Sequence, residues 1–168
     1  IRDLTIDVGA GNPGAVGIDY QVSNAGALRN VTVRSRDAGS GAIGIDLRRR
    51  DNGPGLIADV LVEGFAVGLR TGQSLAHINL KDVRLRNQRE IGIINHEAIL
   101  TVNGLRSENR VPVVANSGVG HLTLVDVHAT GRENLLPDGL RTLGHQLLVA
   151  LPAIPADSAG QNDGHAQR

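Results

Sequence analysis

A short apolar motif recurs along the first 131 residues, and this repeat restricts the fold more than any other feature of the chain. Six segments share one pattern: Ile1-Arg2-Asp3-Leu4-Thr5-Ile6, Leu28-Arg29-Asn30-Val31-Thr32-Val33, Ile57-Ala58-Asp59-Val60-Leu61-Val62, Leu80-Lys81-Asp82-Val83-Arg84-Leu85, Val102-Asn103-Gly104-Leu105-Arg106-Ser107 and Leu124-Val125-Asp126-Val127-His128-Ala129. The pattern is apolar, any, Asp/Asn/Gly, apolar, any, small or apolar. Its aligned residues Leu4, Val31, Val60, Val83, Leu105 and Val127 are 27, 29, 23, 22 and 22 positions apart. Recurrence at a spacing in the twenties is the signature of a solenoid, in which each repeat is one coil.

A second alternating motif follows in each of the first four units: Ala15-Val16-Gly17-Ile18-Asp19, Ala42-Ile43-Gly44-Ile45-Asp46, Ala66-Val67-Gly68-Leu69-Arg70 and Glu90-Ile91-Gly92-Ile93-Ile94. A degenerate copy is read at Pro112-Val113-Val114-Ala115-Asn116. Each unit is therefore two short strands separated by Gly-, Asn- and Ser-rich turns, with no helical segment between Ile1 and Gly131. Without helices for crossovers, the strands stack on their counterparts one coil later. The expected fold is an all-β, single-stranded, right-handed parallel β-helix of about six turns over residues 1–131. The pattern fails after Gly131. Residues 132–151 are expected to form an irregular or helical cap over the open end, and 152–168 a small, polar, disordered tail. Because Ile1 already lies inside a strand pattern, the chain reads as a piece of something longer.

Three columns follow from this alignment. Asp3, Asn30, Asp59, Asp82, Gly104 and Asp126 occupy one position, and these residue types tolerate left-handed backbone, so the column reads as a ladder of bends. Asn30-Val31-Thr32 is also a glycosylation sequon, read here as a bend. Further out lie Asp7, Arg34, Glu63, Arg86 and Glu108, whose sign alternates at every turn. This column is expected to lock the register, with Glu63, Arg86 and Glu108 as the candidate polar floor of a sugar-binding groove. Asn95 and Asn116 close the second motif in successive turns and are expected to stack amide on amide.

Composition narrows the function classes. Seventeen basic and seventeen acidic residues give zero formal charge. With the two signs interspersed, no broad field favours nucleic acid or an anionic membrane, and no apolar run approaches the roughly 20 residues that cross a bilayer. Cysteine is absent, which removes disulfides and cysteine-ligated metals. Tyr20 and Phe65 are the only aromatic residues.

Familiar active-site motifs fail on context. Gly9-Ala10-Gly11-Asn12-Pro13-Gly14 has the spacing of a dinucleotide fingerprint, but Pro13 and the strand after it leave no helix N-terminus for a pyrophosphate. His96-Glu97 lacks a second histidine four residues on. His77, His121 and His128 read as turn or surface residues. No Gly-x-Ser-x-Gly elbow occurs. What remains is the outward column of the second strand, Asp19, Asp46 and Arg70, which places two carboxylates about 5 Å apart with a guanidinium one rung further. Such a pair is expected to raise one of its two pKa values and to serve catalysis as a retaining glycosidase pair does, with calcium an alternative neutraliser. No dedicated metal ligand set is read from the sequence.

The stretch Ile1-Arg2-Asp3-Leu4-Thr5-Ile6-Asp7, then Asn12-Pro13-Gly14-Ala15-Val16-Gly17-Ile18, Gln21-Val22 and Ala27-Leu28-Arg29-Asn30-Val31, resembles the pectate-lyase-like β-helix superfamily, and within it the family 55 glycoside hydrolases. The resemblance covers residues 1–131. It implies an extracellular or cell-surface protein, a polysaccharide partner on the outer coil face, and either the rest of a larger β-helical chain or a homo-oligomer. The Asn-Thr-Asp, Asp-Asp and Gly-His-Gly signatures of polygalacturonases are absent, and no residue matches the family's catalytic acid. A non-catalytic structural or adhesive β-helix is the alternative.

Overall fold

The computed structural model describes residues 1–72, 77–130 and, as backbone, 148–150. It is a parallel β-solenoid with no helix among those residues. One sheet stacks β1 (Arg2–Asp7), β3 (Ser23–Arg34), β5 (Gly53–Glu63), β7 (His77–Arg86), β9 (Ile99–Glu108), β11 (His121–Thr130) and β12 (Leu148–Ala150). The other stacks β2 (Val16–Asp19), β4 (Ile43–Leu47), β6 (Val67–Thr71), β8 (Ile91–His96) and β10 (Val114–Ser117). The strands alternate between sheets along the chain, giving five full coils and the first strand of a sixth. Of the expected cap, only Leu148–Ala150 is described; it runs parallel to β11 and adds a seventh strand to the first sheet. The expected tail lies outside the described residues.

The repeat alignment is reproduced in the register: Leu4 pairs with Val31, Val31 with Val60, Val60 with Val83, Val83 with Leu105, and Leu105 with Val127. The column before them is the ladder of bends. Asp3, Asn30, Asp59, Asp82, Gly104 and Asp126 have φ of 58, 52, 55, 52, 77 and 53°, and the pairing steps over them at every rung. Each first strand is thus two extended arms around one left-handed residue. Asp and Asn accept this geometry because their short polar side chains bond locally; Asn30 Nδ2, for instance, donates to Asp3 Oδ1 at 3.0 Å.

Inside the coils the core is aliphatic, and Leu28, Ile45, Ile57, Leu69, Leu80, Leu85, Ile93 and Leu105 are each at most 1% exposed. Phe65 is fully buried and Tyr20 nearly so. The glycines of the second motif explain how the coils close so tightly. A Cβ on Gly44 would stand 2.6 Å from the Gly68 carbonyl oxygen of the next coil, and one on Gly68 would stand 2.5 Å from the Gly92 oxygen. Backbone meets backbone along this column, and no side chain fits between. The fifth copy lacks the glycine and starts one residue earlier than its sequence suggests: Val114 lies beside Ile93 and Asn116 beside Asn95.

Three residues beyond this column, the second strands carry a buried polar ladder. Thr71 Oγ1 donates to Asn95 Oδ1 at 2.7 Å, and Asn95 Nδ2 donates to Asn116 Oδ1 at 2.7 Å and to the Ala98 and His121 carbonyls. Asn95 is fully buried, so these bonds replace the water it has lost.

Candidate functional site

A polar groove follows the turns that leave the first sheet. Two open depressions of about 630 and 530 Å³ adjoin at Asn87. The first is lined by Arg34, Arg36, Asp37, Glu63 and Arg89 among others, the second by Glu108, Asn109, Arg110 and Thr130. Because Arg34, Glu63, Glu108 and Thr130 end the first strands of successive coils, with Asn87 following the end of β7, the groove runs along the stack for roughly 19 Å at strand spacing.

Arg34, Glu63 and Glu108 of the alternating charge column form its near wall, and the column is in the expected register: Asp7 beside Arg34, Arg34 beside Glu63, Glu63 beside Arg86, Arg86 beside Glu108. The charges are not evenly shared. Asp7 Oδ2 accepts from Arg34 Nε at 2.9 Å and from Arg36 Nε at 2.8 Å, and Arg86 Nε donates to Glu108 Oε2 at 2.8 Å. Glu63, between the two arginines, makes no ion pair among the described residues. It therefore presents a carboxylate to the groove. The floor is built by buried amides: Asn109 Oδ1 accepts from the Gln88 N–H at 2.8 Å, and Gln88 Nε2 donates to the Val62 carbonyl at 3.0 Å. On the far wall Arg89 spans three carbonyls, Ser40 and Gly64 through Nη1 and Gly41 through Nη2, at 2.6–2.9 Å. That one guanidinium ties the turns of two coils together, which gives the wall a fixed shape.

Asp7 carries the largest titration shift in this column. Its bond from Arg36, then the Gly9 N–H and Arg34, lower its pKa to about 2. Glu108 is likewise held below the ordinary range by Arg86, and Asp37 by the Ser40 hydroxyl and the Gly11 N–H. A carboxyl with a depressed pKa stabilises the fold fully above its unfolded value near 3.8 and loses that contribution as the pH falls through its folded value. Stability is thus expected to be flat from pH 7 to about 4.5 and to fall steeply between about 4 and 2. Asp7→Asn is expected to flatten that descent, as measured by urea denaturation across the pH series; an unchanged slope in the variant would remove Asp7 as its source.

On the second sheet, Asp19, Asp46 and Arg70 do form one column, Asp19 paired in register with Asp46 and Asp46 with Arg70. The structure adds two arginines that change its chemistry. Arg48 grips Asp46 through Nε at 2.9 and 3.0 Å and through Nη2 at 2.6 Å. Arg49 Nε donates to Asp19 Oδ1 at 2.8 Å and holds the Asp19 carboxyl below its ordinary pKa. The upward shift expected of crowded carboxylates therefore does not fall on Asp19. Arg70 does not replace Arg48 at Asp46, and its buried Nε has no acceptor among the described residues. Nor do three or more His, Asp or Glu side chains converge as a metal site among those residues.

The repeat predicts the charge column and its register but not the turn residues around it. Arg36, Asp37, Arg89 and Arg110 lie in turns of unequal length, outside the repeating columns, and Arg48 and Arg49 lie in the turn after β4. No family model, curated protein or solved structure matches the chain.

Proposed function

We propose that this chain is the polysaccharide-binding β-solenoid of a carbohydrate-active, secreted or cell-surface protein, and that it lays an extended glycan along the groove at the ends of the first strands. The groove carries the reading: an open trough parallel to the stack, lined by guanidinium, carboxylate, amide and hydroxyl groups over several coils, matches a linear polymer of hydroxyls better than a compact ligand. The resemblance to pectate-lyase-like proteins and family 55 glycoside hydrolases supports the same class. With Tyr20 and Phe65 in the core, no aromatic platform serves the sugar, and recognition rests on hydrogen bonds. Glu63 and the Arg86–Glu108 pair contact the glycan from the near wall, Arg110 from the other side. Asp19 and Asp46, each held by its own arginine, are assigned no part in bond cleavage.

The test is retention of the folded protein by laminarin, pectin and homogalacturonan in affinity electrophoresis, with release of reducing sugar followed in parallel. Binding to at least one polymer is expected, weakened fivefold or more by Glu63→Ala and Arg110→Ala together and unchanged by Asp19→Asn. Absence of retention on all three would overturn the reading in favour of a structural or adhesive spacer, which the register-locking charge column equally suits.

A further inference from the structure

Away from the groove, on the last described coils of the second sheet, three side chains converge at the ends of β8 and β10. Ser117 ends β10 directly beside His96, which ends β8. Ser117 Oγ lies 3.0 Å from His96 Nδ1, and His96 Nε2 lies 3.7 Å from Glu97 Oε1. In the tautomer protonated on Nε2, Nδ1 accepts the serine hydroxyl proton while Nε2–H faces the glutamate. This is the order of nucleophile, base and orienting carboxylate that activates a serine.

Two features of the stacked turns at Glu97 and Gly118 bear on the arrangement. Among the described residues, nine non-glycine residues have positive φ; eight are Asp or Asn, and the ninth is Glu97, at 58°. Glu has no short polar side chain to offset left-handed backbone, so its presence there is strained, and strain of this kind gathers at functional sites. One coil later stands Gly118, where a Cβ would come within 2.7 Å of Glu97 Cγ and 3.4 Å of His96 Cε1. The next coil thus leaves room for the glutamate side chain to lie against the histidine. Beneath the site the scaffold is rigid: the His96 N–H donates to Thr71 Oγ1 at 3.0 Å, and Asn95 and Asn116, each one residue earlier in its strand, are joined amide to amide. The three groups are partly exposed, and the neighbouring Val119 is 63% exposed, so the site is open to an acyl group carried on a large molecule.

We infer that Ser117, His96 and Glu97 form a serine esterase site for short-chain carboxylic esters, separate from the polysaccharide groove and independent of it. Ser117 Oγ attacks the ester carbonyl carbon as its proton passes to His96 Nδ1. The resulting tetrahedral adduct collapses with cleavage of the ester C–O bond, and the departing alcohol takes the proton from Nδ1. Water then attacks the acyl-serine, giving its proton to Nδ1, and the carboxylic acid leaves as Ser117 recovers a proton. The balance is ester plus water to acid plus alcohol. Ser117 and His96 are the catalytic residues. Glu97 is a positioning residue whose carboxylate stands at ion-pair distance from Nε2.

The experiment uses the full chain, a fluorophosphonate probe mapped by mass spectrometry, and the hydrolysis of p-nitrophenyl acetate. A single adduct on Ser117 is expected in the unmodified protein. Ser117→Ala and His96→Gln are each expected to slow hydrolysis on the order of 100-fold, to the background of the remaining histidines. Glu97→Asn separates chemistry from folding: asparagine suits positive φ, so the melting temperature should hold or rise while the rate drops about tenfold. No adduct on Ser117, or hydrolysis by Ser117→Ala at the unmodified rate, would overturn the assignment, whatever the stability of the variants. An unchanged rate in Glu97→Asn would remove the carboxylate from it.

Discussion

Replacing Phe65 by alanine is expected to destabilise the solenoid by about 3–5 kcal/mol, the usual cost of removing a fully buried aromatic ring, and to lower the melting temperature by roughly 10 °C or more. The ring is the largest fully buried side chain among the described residues, and three glycines border the space it fills. Cβ atoms on Gly17, Gly41 and Gly44 would fall 3.2, 2.6 and 3.4 Å from the ring. Backbone lines much of the cavity that alanine would leave, and backbone pinned by ladder hydrogen bonds on both neighbouring coils cannot collapse into it. The expected loss therefore lies toward the upper part of the range. Denaturant titration with matched slopes measures it; a cost near 1 kcal/mol would mean that the coils repack freely and that the glycine column is not rigid.

Asn95→Ala is expected to be nearly as damaging, at about 3 kcal/mol. The side chain is fully buried and bonds to Thr71, Asn116 and the carbonyls of Ala98 and His121. Each buried group left without its partner costs about 1–3 kcal/mol, and at least two would be stranded. Asn95→Asp supplies the sharper comparison. It keeps the acceptor for Thr71 but removes the donor to Asn116 and buries a charge, so it is expected to be no more stable than the alanine variant at neutral pH. Equilibrium unfolding of both at pH 7 checks the pair. If either were within 0.5 kcal/mol of the unmodified protein, the amide ladder would be incidental to the fold.

The parts of this structure that were legible in the sequence are those that repeat. The bend column could be read because left-handed backbone selects Asp, Asn and Gly at every rung, and the apolar column because a one-residue slip would turn each core side chain outward. The charge column and the Asn95–Asn116 stack were legible for the same reason: rung after rung imposes the same neighbours. Features that occur once escaped. Asp19, Asp46 and Arg70 read as one column, but nothing in the repeat shows that the turn after β4 folds back and delivers Arg48 and Arg49 to the two carboxylates. The slipped fifth copy was hidden by Val113, which stands where glycine would have announced the frame. His96 and Ser117 follow Asn95 and Asn116 directly, so the amide stack also sets them side by side, but the repeat does not show that their side chains meet or that Glu97 turns toward them. Sequence periodicity thus specifies the scaffold, while the groove and the side-chain cluster depend on the turns that interrupt it.

The register of the coils underlies every other statement about this protein, and the absence of native cysteine makes it directly measurable by disulfide trapping. Arg84 and Arg106 are exposed register partners on β7 and β9, and His128 is the next partner, on β11. Partners one coil apart sit about 4.8 Å from each other, within the range a disulfide spans; positions two coils apart, at about 9.6 Å, are beyond it. Mild oxidation should therefore close the bridge in the double variant Arg84→Cys/Arg106→Cys, with a shift in non-reducing electrophoresis and no loss of melting temperature, and leave Arg84→Cys/His128→Cys reduced. Closure of the second pair with the first remaining open would contradict the stacked-coil register.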